Sequence, residues 1–279
     1  MKVADILEVD GCRMVEPSFA ELTEDFCTAL LLRARPDEAR LLVDEEEGPL
    51  ALALHDGSNG WQAISFLFRD PTLAAIECFE AVGGEIYQES REAWLSAVRE
   101  YYSLDICATV HSALEDLRPD REGKIRDLLD EVWGDRAGTC CLDCCCGSGV
   151  GTAALRAGGV RALAYDNDPG LLALGLSRGR LAPEDTMCID AQEASCYIKP
   201  VPLGAVFMAG EIYSYNASLW EGIITGLLDL TGEALITVGT EAEAARVEGW
   251  CAGQGRDAGV FENRRDPIYD RWCCVTRRV

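Results

Sequence analysis

The sequence predicts an α/β protein in which a mainly helical region, residues 1–135, precedes a doubly wound parallel sheet, residues 136–279. Three observations support this prediction. From about residue 139, short apolar runs alternate with segments of helical periodicity, which is typical of strands joined by helices. The first of these runs leads through a glycine-containing turn directly into a helix. Before that point, most apolar residues recur at spacings of three and four.

The N-terminal region is expected to contain one pair of strands among its helices. Residues 39–55 are interpreted as two short strands around an acidic turn, Asp44–Gly48. Apolar spacing predicts helices for the other segments, the first of which is closed by Pro36. These predicted helices cover residues 18–33, 63–70, 71–82, 91–102, 106–117 and 121–133.

The C-terminal region is expected to alternate strands and helices and to end in an antiparallel hairpin. The predicted strands cover residues 139–146, 160–166, 186–190, 203–211, 233–239, 258–265 and 271–279. The predicted helices cover residues 149–158, 169–179, 218–230 and 241–255. Ser218 and Glu221 have the spacing of a capping box at the start of the third helix.

Composition restricts the class of partner. The formal net charge is −23, and residues 1–138 contribute −17 of it through 30 acidic and 13 basic side chains. A surface this negative repels nucleic-acid and lipid phosphates, so neither nucleic acid nor a membrane is an expected partner. The chain has no long apolar run and no signal-peptide pattern, and its 14 cysteines are not spaced like a disulfide framework. We therefore expect a protein of the reducing cytoplasm.

The segment Cys140–Gly149, CCLDCCCGSG, joins the first predicted strand to the first helix of the C-terminal region. Small residues in such a turn let the backbone approach a ligand beside a helix N-terminus. The next predicted strand ends in Asp166, whose carboxylate could accept both hydroxyls of a ribose. Together, the turn and this acid indicate a nucleotide-binding site, and Asp168 before Pro169 is interpreted as a helix cap.

These two motifs, LDCCCGSGVGTAAL and ALAYDNDPGLLALG, resemble those of the class I S-adenosylmethionine-dependent methyltransferases, as does the order of elements over about residues 125–279. The resemblance implies a Rossmann-like fold, an enzyme and S-adenosylmethionine as its cofactor. The family has glycine where this chain has Cys145. The positions that the resemblance implies for cofactor binding are Asp143, Cys145, Gly147, Ser148 and Gly149 in the turn, Asp166 for the ribose, and Asn167, Asp190 and Ala191 near the adenine.

In this family the acceptor-side residues lie at the end of the fourth strand, where this chain reads Gly210-Glu211-Ile212-Tyr213. Enzymes that methylate nucleobase amines carry Asn/Asp-Pro-Pro-Tyr/Phe there. This chain lacks that motif, so its sequence does not support methylation of a nucleobase. Glu211 is the predicted catalytic residue, either orienting the acceptor or acting as a base, and Tyr213 is expected to line its pocket. The expected acceptor is a protein side chain or a small metabolite. Protein arginine methyltransferases also carry a glutamate here, but their spacing differs by one residue.

Two alternatives stay open. Nicotianamine synthase-like proteins use the same cofactor to transfer an aminocarboxypropyl group, and they too join a helical N-terminal half to such a domain. The other alternative is a non-enzymatic, cysteine-rich metal-binding protein. Cys141 and Cys144 would form half of its site, and Cys273 and Cys274 could approach them. The chain has no second CxxC motif, and buried strands accept cysteine as a small apolar residue, so no metal site is predicted.

Overall fold

The computed structural model describes residues 2–115 and 117–278. The chain divides into two compact units, Met1–Leu104 and Asp105–Val279. This division precedes the expected boundary at residue 135 because the helix at 121–132 packs in the core of the second unit. There Ile125 and Leu128 lie in one apolar cluster with Cys141 and Leu203.

The first unit is built on a five-stranded mixed sheet with the order β1-β4-β3-β2-β5. The strands are β1 (Arg13–Met14), β2 (Glu38–Val43), β3 (Pro49–Asp56), β4 (Gly60–Ser65) and β5 (Glu85–Gln88). The helices are α1 (Val3–Ile6), α2 (Phe26–Leu31), α3 (Leu73–Val82) and α4 (Arg91–Thr109), with a 3₁₀ turn at Phe19–Thr23. The α4 helix continues past the division between the units.

The N-terminal region therefore contains more strands than the sequence predicts, and the predicted strand pair at 39–55 is present as β2 and β3. The segment 63–70 was predicted to be a helix, but it begins within β4, which pairs antiparallel with β3. The cause is the turn between the two strands. Asp56 accepts hydrogen bonds from the Ser58 backbone N–H (3.0 Å) and the Asn59 side chain (2.8 Å), which closes a hairpin.

Two other helix predictions in this part of the chain are only partly correct. The predicted helix 18–33 is divided into the 3₁₀ turn and α2. The predicted helix 106–117 ends at Thr109 with α4, and residues 111–115 are not helical. Asp116 lies outside the described residues.

The second unit is built on a seven-stranded sheet with the order β11-β12-β10-β9-β6-β7-β8. Its strands are β6 (Cys140–Cys144), β7 (Arg161–Asp166), β8 (Thr186–Cys188), β9 (Val201–Val206), β10 (Thr231–Val238), β11 (Arg256–Glu262) and β12 (Trp272–Arg278). The five strands from β6 to β10 are parallel, and β12 is antiparallel to both β10 and β11. The predicted Rossmann-like sheet with its C-terminal hairpin is thus confirmed.

The helices of the second unit connect the strands as predicted. They are α5 (Arg121–Val132), α6 (Val150–Ala157), α7 (Pro169–Ser177), α8 (Ala217–Leu230) and α9 (Glu241–Gly253), with 3₁₀ turns at Pro183–Asp185 and Ala191–Cys196. The predicted capping box at Ser218 and Glu221 is wrong, because α8 begins one residue earlier and its N-cap residue is Asn216. A capping box does begin α9, formed by Thr240 and Glu243.

The order of the strands determines where a ligand can bind. The chain runs outward from β6 through β7 to β8, then crosses back to β9 on the other side of β6. In such a sheet, the crevice beyond the carboxyl ends of the two strands at the reversal is the usual binding site. Here those strands are β6 and β9.

Candidate active site

The turn after β6 is built from residues in the left-handed conformation. Cys145, Gly147 and Gly149 have φ angles of +54°, +54° and +74°. A non-glycine residue at such an angle is strained by about 1–2 kcal/mol, so Cys145 holds a conformation that favours glycine. Gly151, in the first turn of α6, has no room for a side chain because an added Cβ would lie 2.1 Å from the Phe207 ring. The start of α6 therefore packs closely against Phe207, the residue that follows β9.

Asp143, the fourth residue of β6, is the most deeply buried acid at this point, with 1% of its surface exposed. Its Oδ2 accepts a hydrogen bond from the Thr152 hydroxyl at 2.5 Å. No hydrogen-bond donor among the described residues reaches its Oδ1. Loss of hydration on burial raises the pKa of Asp143 to about 7, although the Thr152 hydrogen bond and the charge of Arg121 act in the opposite direction.

Asp166, at the end of β7, connects the two loops of the crevice. Its Oδ2 accepts the backbone N–H of Gly147 and its Oδ1 that of Asp168, both at 2.9 Å. Burial raises the pKa of this carboxyl above its usual value. Asp168 caps α7 by accepting the N–H groups of Gly170 and Leu171, as predicted.

A cavity of about 410 Å³ lies over this turn, and we call it the first cavity. Five residues predicted for cofactor binding line it: Asp143, Cys145, Gly147, Ser148 and Asp166. The other four, Gly149, Asn167, Asp190 and Ala191, are not among its lining residues. Gly149 packs towards Leu181, and the Asp190 carboxylate accepts the Gln192 N–H at 2.9 Å to begin a 3₁₀ turn.

Glu115 is part of the first cavity and was not identified from the sequence. Its side chain is 5% exposed and accepts hydrogen bonds from the Ser148 hydroxyl in the turn and from Arg180 (2.8 Å) and Arg178 (3.0 Å). These contacts hold the segment before α5 against the glycine turn, and Leu114 and Leu117 add to the same wall. No motif marks Glu115, because its partners lie 33 to 65 residues further along the chain.

Arg121 also lines the first cavity and was missed. Its Nε donates to Asp270 at 3.0 Å, and this ion pair is almost completely buried. Asp270 also accepts the Thr237 hydroxyl at 2.5 Å, and the same hydroxyl oxygen accepts the Met208 N–H at 2.7 Å. The network connects the start of α5, the loop between β11 and β12, and the loop after β9.

The predicted catalytic residues lie in the loop after β9 rather than on the strand. The strand ends at Val206, and left-handed angles at Met208 (φ +59°) and Gly210 (φ +62°) turn the chain away from the sheet. Glu211 and Tyr213 are exposed, and the Tyr213 hydroxyl donates to Glu211 Oε2. This hydrogen bond raises the pKa of Tyr213, so the phenol stays protonated. Asn216 supports the loop by donating to the Glu211 carbonyl at 2.9 Å.

A second cavity, of about 550 Å³, lies beside this loop. It shares Met208 and Gly210 with the first cavity. Its lining residues are Met208, Gly210, Glu211, Ile212, Tyr213, Gly239, Thr240, Ala242, Glu243, Arg246, Ile268 and Tyr269. Among the described residues, four that are not glycine have left-handed φ angles, and the two in this unit, Cys145 and Met208, line the first cavity. Such strain tends to occur at functional sites.

Buried cysteines of β6 and β12 pack as apolar side chains. Cys141 and Cys273 belong to one buried cluster, and Cys144 is fully buried. The hydrogen bond shared with the Cys144 thiol, together with burial, raises the pKa of the Cys145 thiol, which disfavours the thiolate. Within residues 2–115 and 117–278, no group of three or more His, Cys, Asp or Glu side chains is arranged to hold a metal ion. None of the helices in those ranges is long and apolar enough to cross a membrane.

No protein-family model matches the chain, and no curated protein matches it in sequence. Solved structures do resemble it. Magnesium protoporphyrin IX methyltransferase from Synechocystis, with bound S-adenosylmethionine, is 14% identical over 66% of this chain and 97% of its own, with a TM-score of 0.46. A methyltransferase from Clostridium acetobutylicum that depends on the same cofactor is 10% identical over 58% and 93%, also at 0.46. Precorrin 8W decarboxylase from Methanobacterium thermoautotrophicum is 18% identical over 60% and 93%, at 0.44.

Proposed function

We propose that the second unit is an S-adenosylmethionine-dependent methyltransferase that binds its cofactor in the first cavity and its acceptor in the second. One observation carries this proposal. A buried carboxylate with an unpartnered oxygen, Asp143, and a second carboxylate, Asp166, flank one left-handed turn at the reversal of a doubly wound sheet.

The residues present fit the charges of this cofactor, which carries an ammonium group at one end and a ribose diol in the middle. Asp143 would accept the ammonium group through Oδ1, the atom that lacks a partner among the described residues. Each oxygen of Asp166 already accepts one backbone N–H and keeps a further lone pair for a ribose hydroxyl. Asn167, Asp190 and Ala191 stay proposed for the adenine end, beyond the lining of the first cavity.

When bound, the cofactor supplies a methyl carbon that the adjacent sulfonium already activates towards nucleophiles. The chain then needs mainly to orient the acceptor and exclude water. Phe207 and Trp220 line the first cavity with apolar surface, and Gly210 opens it towards the second. Glu211 is the group that would orient the acceptor or take its proton, because its carboxylate lies at the second cavity and only Tyr213 among the described residues hydrogen-bonds to it.

A protein side chain or a small molecule is the proposed acceptor. The net charge of −23 and the sequence Gly210-Glu211-Ile212-Tyr213 both argue against a nucleobase. Aminocarboxypropyl transfer loses one of its supports, since the first unit contains a five-stranded sheet rather than a helical half. The products separate the two reactions. Methyl transfer leaves S-adenosylhomocysteine, and aminocarboxypropyl transfer leaves methylthioadenosine.

Calorimetric titration with S-adenosylhomocysteine tests the cofactor site directly. We expect micromolar affinity, and Asp166→Ala should weaken it at least about tenfold, which corresponds to about 1.4 kcal/mol. Asp127→Ala is the matched control, because Asp127 is exposed on α5 and lines neither cavity. Equal affinities for wild type and Asp166→Ala would contradict the ribose assignment, and a lack of binding by the wild type would contradict the proposed cofactor.

A native cell extract incubated with methyl-labelled cofactor tests the reaction. Label in a protein or in a small molecule supports methyl transfer and distinguishes the two acceptor classes. Release of labelled methylthioadenosine would favour the aminocarboxypropyl reaction instead.

A further inference from the structure

The second cavity is formed by three parts of the second unit: the loop after β9, the first turn of α9, and the loop between β11 and β12. It shares Met208 and Gly210 with the first cavity. A ligand in the second cavity therefore lies beside whatever occupies the first. The chemistry of its walls indicates which class of ligand it accepts.

Two of the three charged side chains that line this cavity are already committed to the backbone. Glu243 accepts the Ile212 N–H through Oε1 at 2.8 Å and two donors of Thr240 through Oε2. Arg246 donates to the Ile212 carbonyl at 3.0 Å. These two side chains have opposite charges and fix the position of Ile212 from both sides. The remaining charge on the lining is that of Glu211.

Glu211 has one carboxylate oxygen without a donor among the described residues. The Tyr213 hydroxyl donates to Oε2, and no other hydrogen bond from residues 2–115 or 117–278 reaches the side-chain carboxylate. Residues 139–279 as a whole are also net negative, with 18 acidic and 12 basic side chains. An anionic ligand would be repelled here, whereas a neutral ligand would gain nothing from the charge.

Aromatic and apolar surface lies next to this carboxylate. The ring of Tyr213 stacks on that of Tyr215 with their centroids 5.5 Å apart and their planes 16° from parallel. Met208, Tyr213, Tyr215 and Ile268 are all exposed, with Tyr215 80% accessible. The face of an aromatic ring attracts a cation, and exposed apolar surface gains free energy when a ligand covers it.

We propose that the second cavity binds an organic cation, namely an amine or guanidinium group on an apolar body, and that this is the class of acceptor. The second part of the proposal rests on the proposed function. Glu211 would remove one proton from the bound nitrogen. The nitrogen lone pair then forms the new bond to the methyl carbon, and the electron pair of the broken carbon–sulfur bond stays on sulfur. The methylated nitrogen would gain the positive charge that the sulfonium loses, and the proton would remain on Glu211.

Charge-matched probes test this proposal without knowledge of the natural acceptor. The full chain, saturated with S-adenosylhomocysteine, is titrated with 2-phenylethylammonium, 2-phenylethanol and 3-phenylpropionate. We expect the ammonium to bind about fivefold to tenfold tighter than the alcohol, and the carboxylate to bind weakest. Equal affinity for the ammonium and the alcohol would overturn the proposal.

Two variants test whether Glu211 causes the preference for the ammonium probe over the alcohol. Glu211→Gln should reduce the affinity for the ammonium to that for the alcohol and leave the alcohol unchanged. Glu241→Gln removes the same charge from an exposed residue beside the cavity that does not line it, and should keep the preference. Loss of the preference in both variants would indicate a general field rather than a site, and would overturn the proposal.

The same titrations separate this inference from the proposed function. If S-adenosylhomocysteine binds and no preference for the cation appears, the inference fails and the proposed function stands. If S-adenosylhomocysteine does not bind but the preference for the cation persists, the cavity is a cation site and the proposed function fails. Parallel titrations with free 2-phenylethylammonium and with a short lysine-containing peptide distinguish a small-molecule amine from a protein side chain.

Discussion

Asp143 lies on β6 and Glu211 in the loop that follows the neighbouring strand β9, yet their surroundings are opposite. Asp143 lies within β6, is 1% exposed, and is held by Thr152. Glu211 lies in a loop five residues after β9 ends, is exposed, and bonds to Tyr213 in the same loop. Both strands end at the same edge of the sheet, where they pair side by side. Burial is what gives the two carboxylates different chemistry.

A buried carboxylate in a fixed position suits the cofactor, which is the same in every reaction cycle. An exposed carboxylate suits an acceptor that binds from solvent and is released as product. The position of Asp143 is set by strand pairing on both sides, since it lies opposite Ala164 of β7 and Ala205 of β9. The position of Glu211 depends on its loop and on the two side chains of α9 that hold Ile212. We therefore expect substitutions near Asp143 to lower cofactor affinity and substitution of Glu211 to lower the rate of transfer to the acceptor. The predictions below are arranged by their expected effect on cofactor affinity.

Asp143→Asn should have the largest effect. The amide keeps the size of the side chain and can still accept from Thr152, but it cannot pair with an ammonium group. We expect the affinity for S-adenosylhomocysteine to fall by about 30- to 100-fold, which is the usual cost of losing a hydrogen bond to a charged group. Calorimetric titration measures the change, and an effect smaller than that of Asp166→Ala would reverse the assigned importance of the two acids.

The raised pKa of Asp143 also predicts a dependence on pH. The pKa is about 7 in the folded chain and about 3.9 in an unfolded one, so this residue stabilises the fold at low pH and that contribution is lost as pH rises from about 4 to about 7. Cofactor affinity should change in the opposite direction, rising by up to about tenfold per unit below pH 7 as the carboxylate ionises. Both trends should be smaller in Asp143→Asn than in the wild type when melting temperature and affinity are compared between pH 5 and 8, since Asp166 also has a raised pKa.

Glu115→Gln should have an intermediate effect. It removes the charge that holds Ser148 of the turn and pairs with Arg178 and Arg180. Since both arginines are partly exposed, we expect the affinity for S-adenosylhomocysteine to fall by about three- to tenfold and the free energy of unfolding by about 1–2 kcal/mol. Glu122→Gln, on the exposed face of α5, is the control. Unchanged affinity with lowered stability would limit Glu115 to a structural role.

Cys145→Gly should have a small effect and a favourable one. Glycine relieves about 1–2 kcal/mol of strain at φ +54° and loses about 0.5–1 kcal/mol to the greater freedom of the unfolded chain. The net stabilisation should be about 0–1 kcal/mol in chemical denaturation, with the cofactor affinity within about threefold of wild type. A clear loss of affinity would mean that the thiol itself contacts the cofactor.

Glu211→Gln should have the smallest effect on cofactor affinity, within about twofold, because the carboxylate does not line the first cavity. The transfer of label from the cofactor to its acceptor should nevertheless fall. A change in cofactor affinity as large as that of Asp143→Asn would contradict the assignment of Asp143 to the cofactor and Glu211 to the acceptor.

Local patterns predicted the second unit well because its elements are defined by neighbours in sequence. Short strands of three to eight residues, helices with caps such as Asp168, and the glycine turn are all short-range features. The first unit shows the opposite case. The segment 63–70 has apolar residues at helical spacing, and only its pairing with β3 makes part of it a strand.

The same distinction applies to the site. The sequence predicted the turn and Asp166, because strand, turn and helix follow one another. It did not predict Glu115 and Arg121, whose roles depend on partners far away in the chain. It also placed Asp190 at the end of a strand, whereas β8 ends at Cys188 and the Asp190 carboxylate begins a 3₁₀ turn.

The buried pair between Arg121 and Asp270 has a consequence for how the second unit folds. The two residues are 149 positions apart in the sequence. The ion pair can therefore form only after nearly all of the unit has been synthesised. Until Asp270 emerges during synthesis, the Arg121 guanidinium lacks the carboxylate with which it pairs in the folded unit. We therefore expect this ion pair to form late in folding, after the final hairpin has joined the sheet.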